Sequence, residues 1–188
     1  LAATNSSVLA QRMADLRSHG ITKDEERFEE PPDGPWSYEQ QELGFNYRIT
    51  DLQAALGLSQ LMRLETIVAE RQRLFQEYNK LLADLPVKLL KISPDVISAQ
   101  HLAVIRLENS NRVKHLRVFK GLRAAAIGVQ LHYSPVHLQP YYRRLGFAES
   151  NFPEAEAYGV NALSLPLYPG LKWEEQKRVV NILTDLLN

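Results

Sequence analysis

Apolar side chains near the start of the chain recur at helical spacing. Leu9, Met13 and Leu16 are four and three residues apart, which places them on one face of a helix predicted over residues 6–18. The pattern then stops, and residues 21–42 combine prolines with neighbouring acidic side chains. Because proline cannot donate a backbone hydrogen bond and like charges repel, the sequence predicts a long acidic loop without regular elements.

A much longer helical pattern runs from residue 50 to about residue 84. Thr50 and Gln53 have the spacing of a capping box, which marks the start of the helix. At a rise of about 1.5 Å per residue the helix would be roughly 50 Å long, which exceeds the width of one small core. The sequence therefore predicts either a bend near Gly57 or a helix that bridges two domains.

Short apolar runs and helical patterns alternate from residue 86 to the end of the chain. The apolar runs predict strands at 87–90, 101–107 and 129–133, and helical periodicity predicts helices at 111–127, 153–163 and 173–187. The fold class expected from this order is α/β, with an α+β domain in which helices cover one side of a small sheet.

Composition excludes several classes of function. The 188 residues carry 22 Lys and Arg against 22 Asp and Glu, so there is no net charge to attract nucleic acid. The absence of cysteine excludes disulfides, thiolate nucleophiles and Cys-ligated metals. Apolar runs are far shorter than the roughly 20 residues that span a bilayer, so no membrane helix is predicted. The lack of cysteine is compatible with a reducing compartment, and the expected location is cytoplasmic. The first residues lack a Met and a basic leader, so we expect a fragment.

Two segments collect polar side chains at element boundaries. Asn46 and Arg48 precede the predicted helix N-terminus, where amide groups and the helix dipole favour an anion such as phosphate. The alternative is a polar turn in which Arg48 forms a salt bridge. In the second segment His132 and His137 are five residues apart, a spacing that fits no helical or strand metal pair, so no metal site is predicted.

Four ordered motifs resemble one known family. Residues 44–61, which begin Gly-Phe-Asn-Tyr-Arg-Ile-Thr-Asp, resemble a signature of the DegT/StrS family of nucleotide-sugar aminotransferases that depend on pyridoxal 5'-phosphate (PLP). Residues 16–22, 128–137 and 163–170 match further family motifs in order and spacing. The His-Tyr-x-Pro-x-His form is most similar to the branch that makes UDP-4-amino-4,6-dideoxy-N-acetyl-β-L-altrosamine on the pseudaminic-acid route.

The resemblance implies a fold-type I aminotransferase that acts as a homodimer. In such an enzyme PLP carries an amino group from glutamate to the C4 keto group of a nucleotide-linked sugar. Asn46 matches a family asparagine that reaches the partner subunit's PLP phosphate, and Arg48 lies beside it with a guanidinium suited to phosphate oxygens.

The same resemblance implies substrate-binding residues near residue 135. His132, Tyr133 and His137 match a loop of the small domain that faces the sugar-nucleotide pocket, and Tyr141 and Arg143 are outlying candidates. The family partners are thus a nucleotide-sugar and glutamate, with no nucleic acid and no membrane.

The family's Schiff-base lysine has no counterpart in this chain. None of the eight lysines lies in the family's Ser-x-His-x-x-Lys context, so the resemblance implies a C-terminal portion that is inactive alone and does not retain PLP. Residues 1–55 would be the tail of the PLP-binding large domain and residues 56–188 the small domain. The alternative is a non-catalytic, lysine-less binding or interaction domain on the same scaffold.

Overall fold

The computed structural model describes residues 2–188 and divides into two compact units. The first ends at Met62 and the second begins at Arg63. The first unit contains helix α1 (Ser7–Arg17), strand β1 (Ile21–Thr22), a 3₁₀ turn (Glu25–Arg27), strand β2 (Glu39–Gln40) and helix α2 (Asp51–Leu61). The second contains α3 (Leu64–Leu81), β3 (Val87–Leu89), β4 (Ala103–Leu107), α4 (Arg112–Ala124), a 3₁₀ turn (Val136–Leu138), α5 (Pro140–Arg143), α6 (Pro153–Gly159), β5 (Ala162–Leu165) and α7 (Trp173–Leu187).

The first unit confirms the predicted helix and corrects the predicted loop. The Ser6 side chain caps α1 by accepting from the amide of Leu9. Residues 21–42 are not free of regular structure, because β1 and β2 pair antiparallel with Ile21 opposite Gln40. The prolines of this segment lie between the two strands rather than within them, so they do not interrupt the pairing.

The long helical pattern is two helices. Thr50 and Gln53 form the predicted capping box, with both reciprocal hydrogen bonds present at 3.0 and 3.3 Å. The helix stops at Leu61, and Arg63 has the non-helical backbone angles φ −108° and ψ 5° before α3 begins. Of the two predicted alternatives, the bend near Gly57 is wrong, because α2 continues through that residue. The helical pattern does pass from one unit to the next, but as two helices whose break falls at the division between the units.

The second unit is built on a three-stranded antiparallel sheet with the order β3-β4-β5. Ala103 lies opposite Leu165 and Ile105 opposite Leu163, so these buried side chains share one face of the sheet. Helices α3, α4 and α7 complete the same core, to which they contribute Leu74, Phe75, Tyr78, Val118, Leu122, Val179, Val180 and Leu183. The predicted fold class, a small sheet covered by helices, is confirmed.

Two predicted elements of this unit are wrong. Residues 129–133 do not form a strand, because only Gln130 makes an isolated bridge, to Ser164. Residues 153–163 are not one helix, because α6 ends at Gly159 and the run Ala-Leu-Ser-Leu that follows forms β5. All four residues of β5 are buried, and a fully buried strand has no alternation that would distinguish it from a helix segment.

Candidate functional site

The predicted phosphate-binding pair lies in the extended segment that precedes α2. Asn46 forms an isolated antiparallel bridge with Ser18, which attaches this segment to the end of α1. The Asn46 Oδ1 atom accepts hydrogen bonds from the Nε of Arg48 at 3.0 Å and from its backbone N at 3.3 Å. The carboxamide of Asn46 therefore fixes the guanidinium of Arg48 beside it.

The outer part of the Arg48 side chain has no hydrogen-bond or ion-pair partner in the described part of the chain. Within residues 2–188 Arg48 forms no ion pair with a carboxylate, and its two terminal nitrogens donate no hydrogen bond. The salt bridge that was the alternative explanation of this residue is thus not formed. A planar guanidinium with free N–H groups can donate to two oxygens of one phosphate.

The N-terminus of α2 is less suited to an anion than the sequence suggested. The Thr50 hydroxyl already accepts from the amide of Gln53, so one of the free amides of the first turn is satisfied. Asp51 places a carboxylate in the same turn, where it compensates the helix dipole and repels a second anion. The case for phosphate therefore rests on Arg48 rather than on the helix.

The predicted substrate residues His132 and Tyr133 lie in the loop after Gln130. The His132 Nδ1 atom is 2.8 Å from the Ser164 Oγ, and the His132 carbonyl oxygen accepts from the Tyr158 hydroxyl at 2.9 Å. The Tyr133 ring packs edge-on against the His132 ring with centroids 4.9 Å apart, while 72% of Tyr133 is exposed. The loop is thus held to β5 and α6 and presents Tyr133 to solvent.

His137 occupies a different environment from His132. It is buried, its Nε2 atom is 2.9 Å from the Glu156 Oε1, and its ring packs against Phe152 at 4.8 Å. Hydrogen bonds from the Ser150 backbone and from His137 hold the pKa of the Glu156 carboxyl below its usual value. His137 is thus buried beside a partly exposed carboxylate on α6, so the structure leaves it little surface for a ligand.

Tyr141 and Arg143 lie on α5, which packs against the 3₁₀ turn that contains His137. Arg143 donates to the Leu138 carbonyl oxygen at 3.0 Å and forms an ion pair with Glu149 at 3.2 Å, so much of its guanidinium is engaged.

Aromatic rings connect these residues in one row. The members are Tyr141, Tyr142, Phe147, Phe152 and His137, with successive centroids 5.3, 6.3, 6.1 and 4.8 Å apart. The exposed end of the row is Tyr141, under the Arg144 guanidinium at 5.9 Å. The row includes two of the five predicted substrate residues, His137 and Tyr141. All five lie in the second unit, whereas Asn46 and Arg48 belong to the first.

The sequence did not identify the residues that hold this loop. Glu156 and Tyr158 of α6 and Ser164 of β5 contact His137 and His132, but residues 153–163 were assigned to one helix, so the strand that carries Ser164 was not predicted. Tyr158 is partly buried, and this burial raises the pKa of its hydroxyl. One signal was available, because Ser164 is a hydroxyl residue within a short apolar run.

Known proteins are similar to this chain in fold and in sequence. Spr1654 from Streptococcus pneumoniae, designated a sugar aminotransferase, matches in its PMP form with a TM-score of 0.88 and 27% identity over 97% of this chain and 46% of its own. The same protein matches in its PLP form with a TM-score of 0.86. Helicobacter pylori PseC, an aminotransferase involved in the biosynthesis of pseudoaminic acid, matches with a TM-score of 0.85 and 25% identity over 98% of this chain and 47% of its own.

Sequence comparison gives the same class. The spore coat polysaccharide biosynthesis protein SpsC of Bacillus subtilis is 31% identical over 189 residues, which are 98% of this chain and 48% of SpsC. The model of the DegT/DnrJ/EryC1/StrS aminotransferase family matches residues 1–184. The chain belongs to this family, as its motifs predicted, and it spans about half the length of the curated relatives it matches. No helix within residues 2–188 is both long and apolar enough to cross a membrane.

Proposed function

We propose that this chain is the C-terminal part of a PLP-dependent nucleotide-sugar aminotransferase. The complete enzyme would move an amino group from glutamate to the C4 keto group of a UDP-linked deoxy-keto-sugar. The observation that carries the proposal is the family match over residues 1–184, together with relatives about twice as long as this chain. PseC, with 25% identity, supports a sugar of the pseudaminic-acid type.

The free N–H groups of Arg48 fit the phosphate of PLP. In the complete enzyme Asn46 would orient the guanidinium and Arg48 would donate to phosphate oxygens, as their two hydrogen bonds in this structure prepare them to do. The cofactor, when bound, supplies an electron sink for the carbanion chemistry of transamination. PLP is supported by the PLP and PMP forms of Spr1654.

The loop around residue 133 supplies the contacts to the nucleotide-sugar in this proposal. Tyr133 and Tyr141 are the most exposed of the five candidate side chains, so they would contact the ligand directly. His132 is held by Ser164 and would donate from its other ring nitrogen, while His137 and Arg143 would support the loop through Glu156 and Leu138.

We further propose that residues 1–55 belong to the large domain and residues 56–188 to the small domain of a homodimeric enzyme. The first unit supports this proposal, because among residues 2–62 only Gly20 and Thr22 are buried. The large apolar side chains of Trp36 and Leu52 are 74% and 82% exposed. Exposed apolar area of this kind is typical of a surface that packs against other protein, such as the rest of a large domain.

Borohydride reduction tests whether this chain can react with PLP alone. After incubation of the 188-residue chain with PLP and reduction, we expect no stoichiometric covalent adduct in the intact mass, because no lysine lies in the family's Schiff-base context. A stoichiometric adduct on one lysine would contradict the proposal that the chain is inactive alone.

Amino transfer itself is tested on the longer polypeptide that the proposal requires. With PLP, glutamate and a UDP-linked 4-keto-sugar, mass spectrometry should show one amino group replacing the keto oxygen. Arg48→Gln should raise the PLP concentration needed for half-maximal activity more than Arg17→Gln, the matched control on α1. Failure of the wild-type polypeptide to transfer the amino group to any 4-keto nucleotide-sugar would overturn the proposal.

A further inference from the structure

The Ser164 hydroxyl has a single hydrogen-bond partner within residues 2–188. Ser164 is 5% exposed, and its Oγ lies 2.8 Å from the Nδ1 of His132. The Ser164 amide donates to the Gln130 carbonyl oxygen at 2.8 Å, and its own carbonyl oxygen accepts from the Gln130 amide at 3.4 Å. The main chain just before His132 and the His132 ring are thus both attached to the same residue of β5.

Burial decides the direction of the hydrogen bond between the two side chains. If Nδ1 carried the proton and donated to Oγ, the hydroxyl proton of Ser164 would be buried without an acceptor, which is costly. If the hydroxyl donates to Nδ1, its proton is satisfied. The second arrangement requires an unprotonated Nδ1, and a neutral imidazole then carries its proton on Nε2.

The other ring nitrogen of His132, Nε2, is available to a ligand. Within residues 2–188 the Nε2 of His132 forms no hydrogen bond, and the residue is only half-buried. The Tyr158 hydroxyl holds the carbonyl of His132, and the Tyr133 ring packs edge-on against the imidazole. The ring is therefore restrained at Nδ1, at its backbone and on one side.

We propose that Ser164 is a positioning residue that holds neutral His132 as the Nε2–H tautomer. In this state Nε2 is a hydrogen-bond donor directed to an oxygen of the sugar ligand. The role of Nε2 toward a sugar rests on the proposed function, whereas the tautomer is a property of this chain alone. Ser164 thereby gives a function to β5, a strand that the sequence pattern did not predict.

Nitrogen-15 NMR of the histidine rings tests the tautomer on the 188-residue chain. At a pH where His132 is neutral, we expect a protonated Nε2 and an unprotonated Nδ1 as a single population. Ser164→Ala should convert this into a mixture, because Nδ1 loses its donor. Ser110→Ala is the matched control, since the Ser110 hydroxyl donates instead to the Val160 carbonyl at 3.2 Å. A wild-type His132 protonated on Nδ1 would overturn the inference without any variant.

Kinetics of the longer polypeptide test the consequence for the ligand. Ser164→Ala should lower kcat/KM about tenfold, whereas Ser110→Ala should not change it. In a His132→Gln background, Ser164→Ala should have no further effect, because the hydroxyl acts through the lost imidazole. If instead the double variant lost kcat/KM by the product of the two single-variant factors, Ser164 would have only a structural role. An inactive wild type would refute the proposed function, while the NMR result would still decide the tautomer.

Discussion

The two units of this chain differ in how many of their helical side chains are buried. In the first unit, α1 and α2 are capped by Ser6 and Thr50, yet neither helix contains a buried residue. In the second unit, α3, α4 and α7 share one buried core with β4 and β5. Since most helical stability in proteins comes from packing of an apolar face, a cap fixes where a helix begins but contributes only about 1 kcal/mol to its stability.

The two units also differ in net charge. Residues 1–62 carry 5 Lys and Arg against 10 Asp and Glu, whereas residues 63–188 carry 17 against 12. The balanced total of the whole chain therefore hides an acidic first unit and a basic second unit. Zero net charge therefore excludes a broad electrostatic surface for the chain as a whole, but not for each unit taken alone.

Core truncation should show the largest difference between the units. Leu183→Ala removes a fully buried side chain from α7 and should lower the unfolding free energy of the second unit by about 2–5 kcal/mol. Leu52→Ala removes a side chain that is 82% exposed on α2 and should change stability by less than about 0.5 kcal/mol. Chemical denaturation followed by circular dichroism measures both.

The same two variants can also contradict the claim that α2, unlike α7, has no buried face. A loss of 2 kcal/mol or more for Leu52→Ala, on the scale expected of a buried leucine, would show that α2 is covered in solution. Sedimentation velocity of that variant would then establish whether another copy provides the cover, since exposed apolar patches of this kind drive association.

Two glycines give the next largest effect, within the first unit. Gly20 has φ +69°, and an added Cβ would lie 1.9 Å from the Glu42 carbonyl oxygen. Gly20→Ala should therefore destabilise the β1–β2 pair by about 2 kcal/mol or more. Gly57 lies in α2 with nothing within 4 Å of an added Cβ, so Gly57→Ala should instead stabilise that helix by about 1 kcal/mol.

Hydrogen exchange of single amides separates these two effects. The Gln41 amide donates to the Gly20 carbonyl, so it should exchange faster in Gly20→Ala and at the wild-type rate in Gly57→Ala. Equal exchange of Gln41 in wild type and Gly20→Ala would mean that the close approach to Glu42 relaxes without cost.

Acid should weaken the second unit through Glu156. The Ser150 backbone and His137 lower the pKa of this carboxyl in the folded state, so its contribution to stability is present above the unfolded pKa. It is lost as the pH falls through the folded pKa. The melting temperature of Glu156→Gln should therefore fall less between pH 7 and pH 3 than that of the wild type, and an unchanged slope would contradict this assignment.

The accuracy of the sequence predictions follows the same physical division. Helix α7 was predicted with the correct bounds, because a helix that is apolar on one side has a clear period. Strand β5 was not predicted, and its first two residues were assigned to a helix, because all four of its residues are buried and its pattern has no period. The break at Arg63 was also missed, since the apolar spacing continues across it.

The candidate site was predicted less completely than the fold. The motifs pointed to Asn46, Arg48 and the loop around Tyr133, and these assignments stay predictions. No local pattern could have shown that Ser164 contacts His132, because the two residues are 32 positions apart and meet only through the pairing of Gln130 with β5. Contacts between distant segments need the folded chain.

Helix capping should give the smallest effect and compares the two units directly. At α7, Lys172 provides no side-chain cap, although its amide donates to the Glu175 carboxylate at 2.8 Å, which is half of a capping box. Lys172→Thr would supply a hydroxyl to the Glu175 amide and should stabilise the second unit by about 1 kcal/mol. Thr50→Ala removes the complete box of α2 and should cost about the same, but as local fraying rather than as global unfolding.

The two capping variants should therefore be seen by different measurements. Because α7 is part of a core and α2 is not, Lys172→Thr should shift the denaturation midpoint, whereas Thr50→Ala should only accelerate exchange of the Gln53 amide. A shifted midpoint for Thr50→Ala would show that α2 unfolds together with a core.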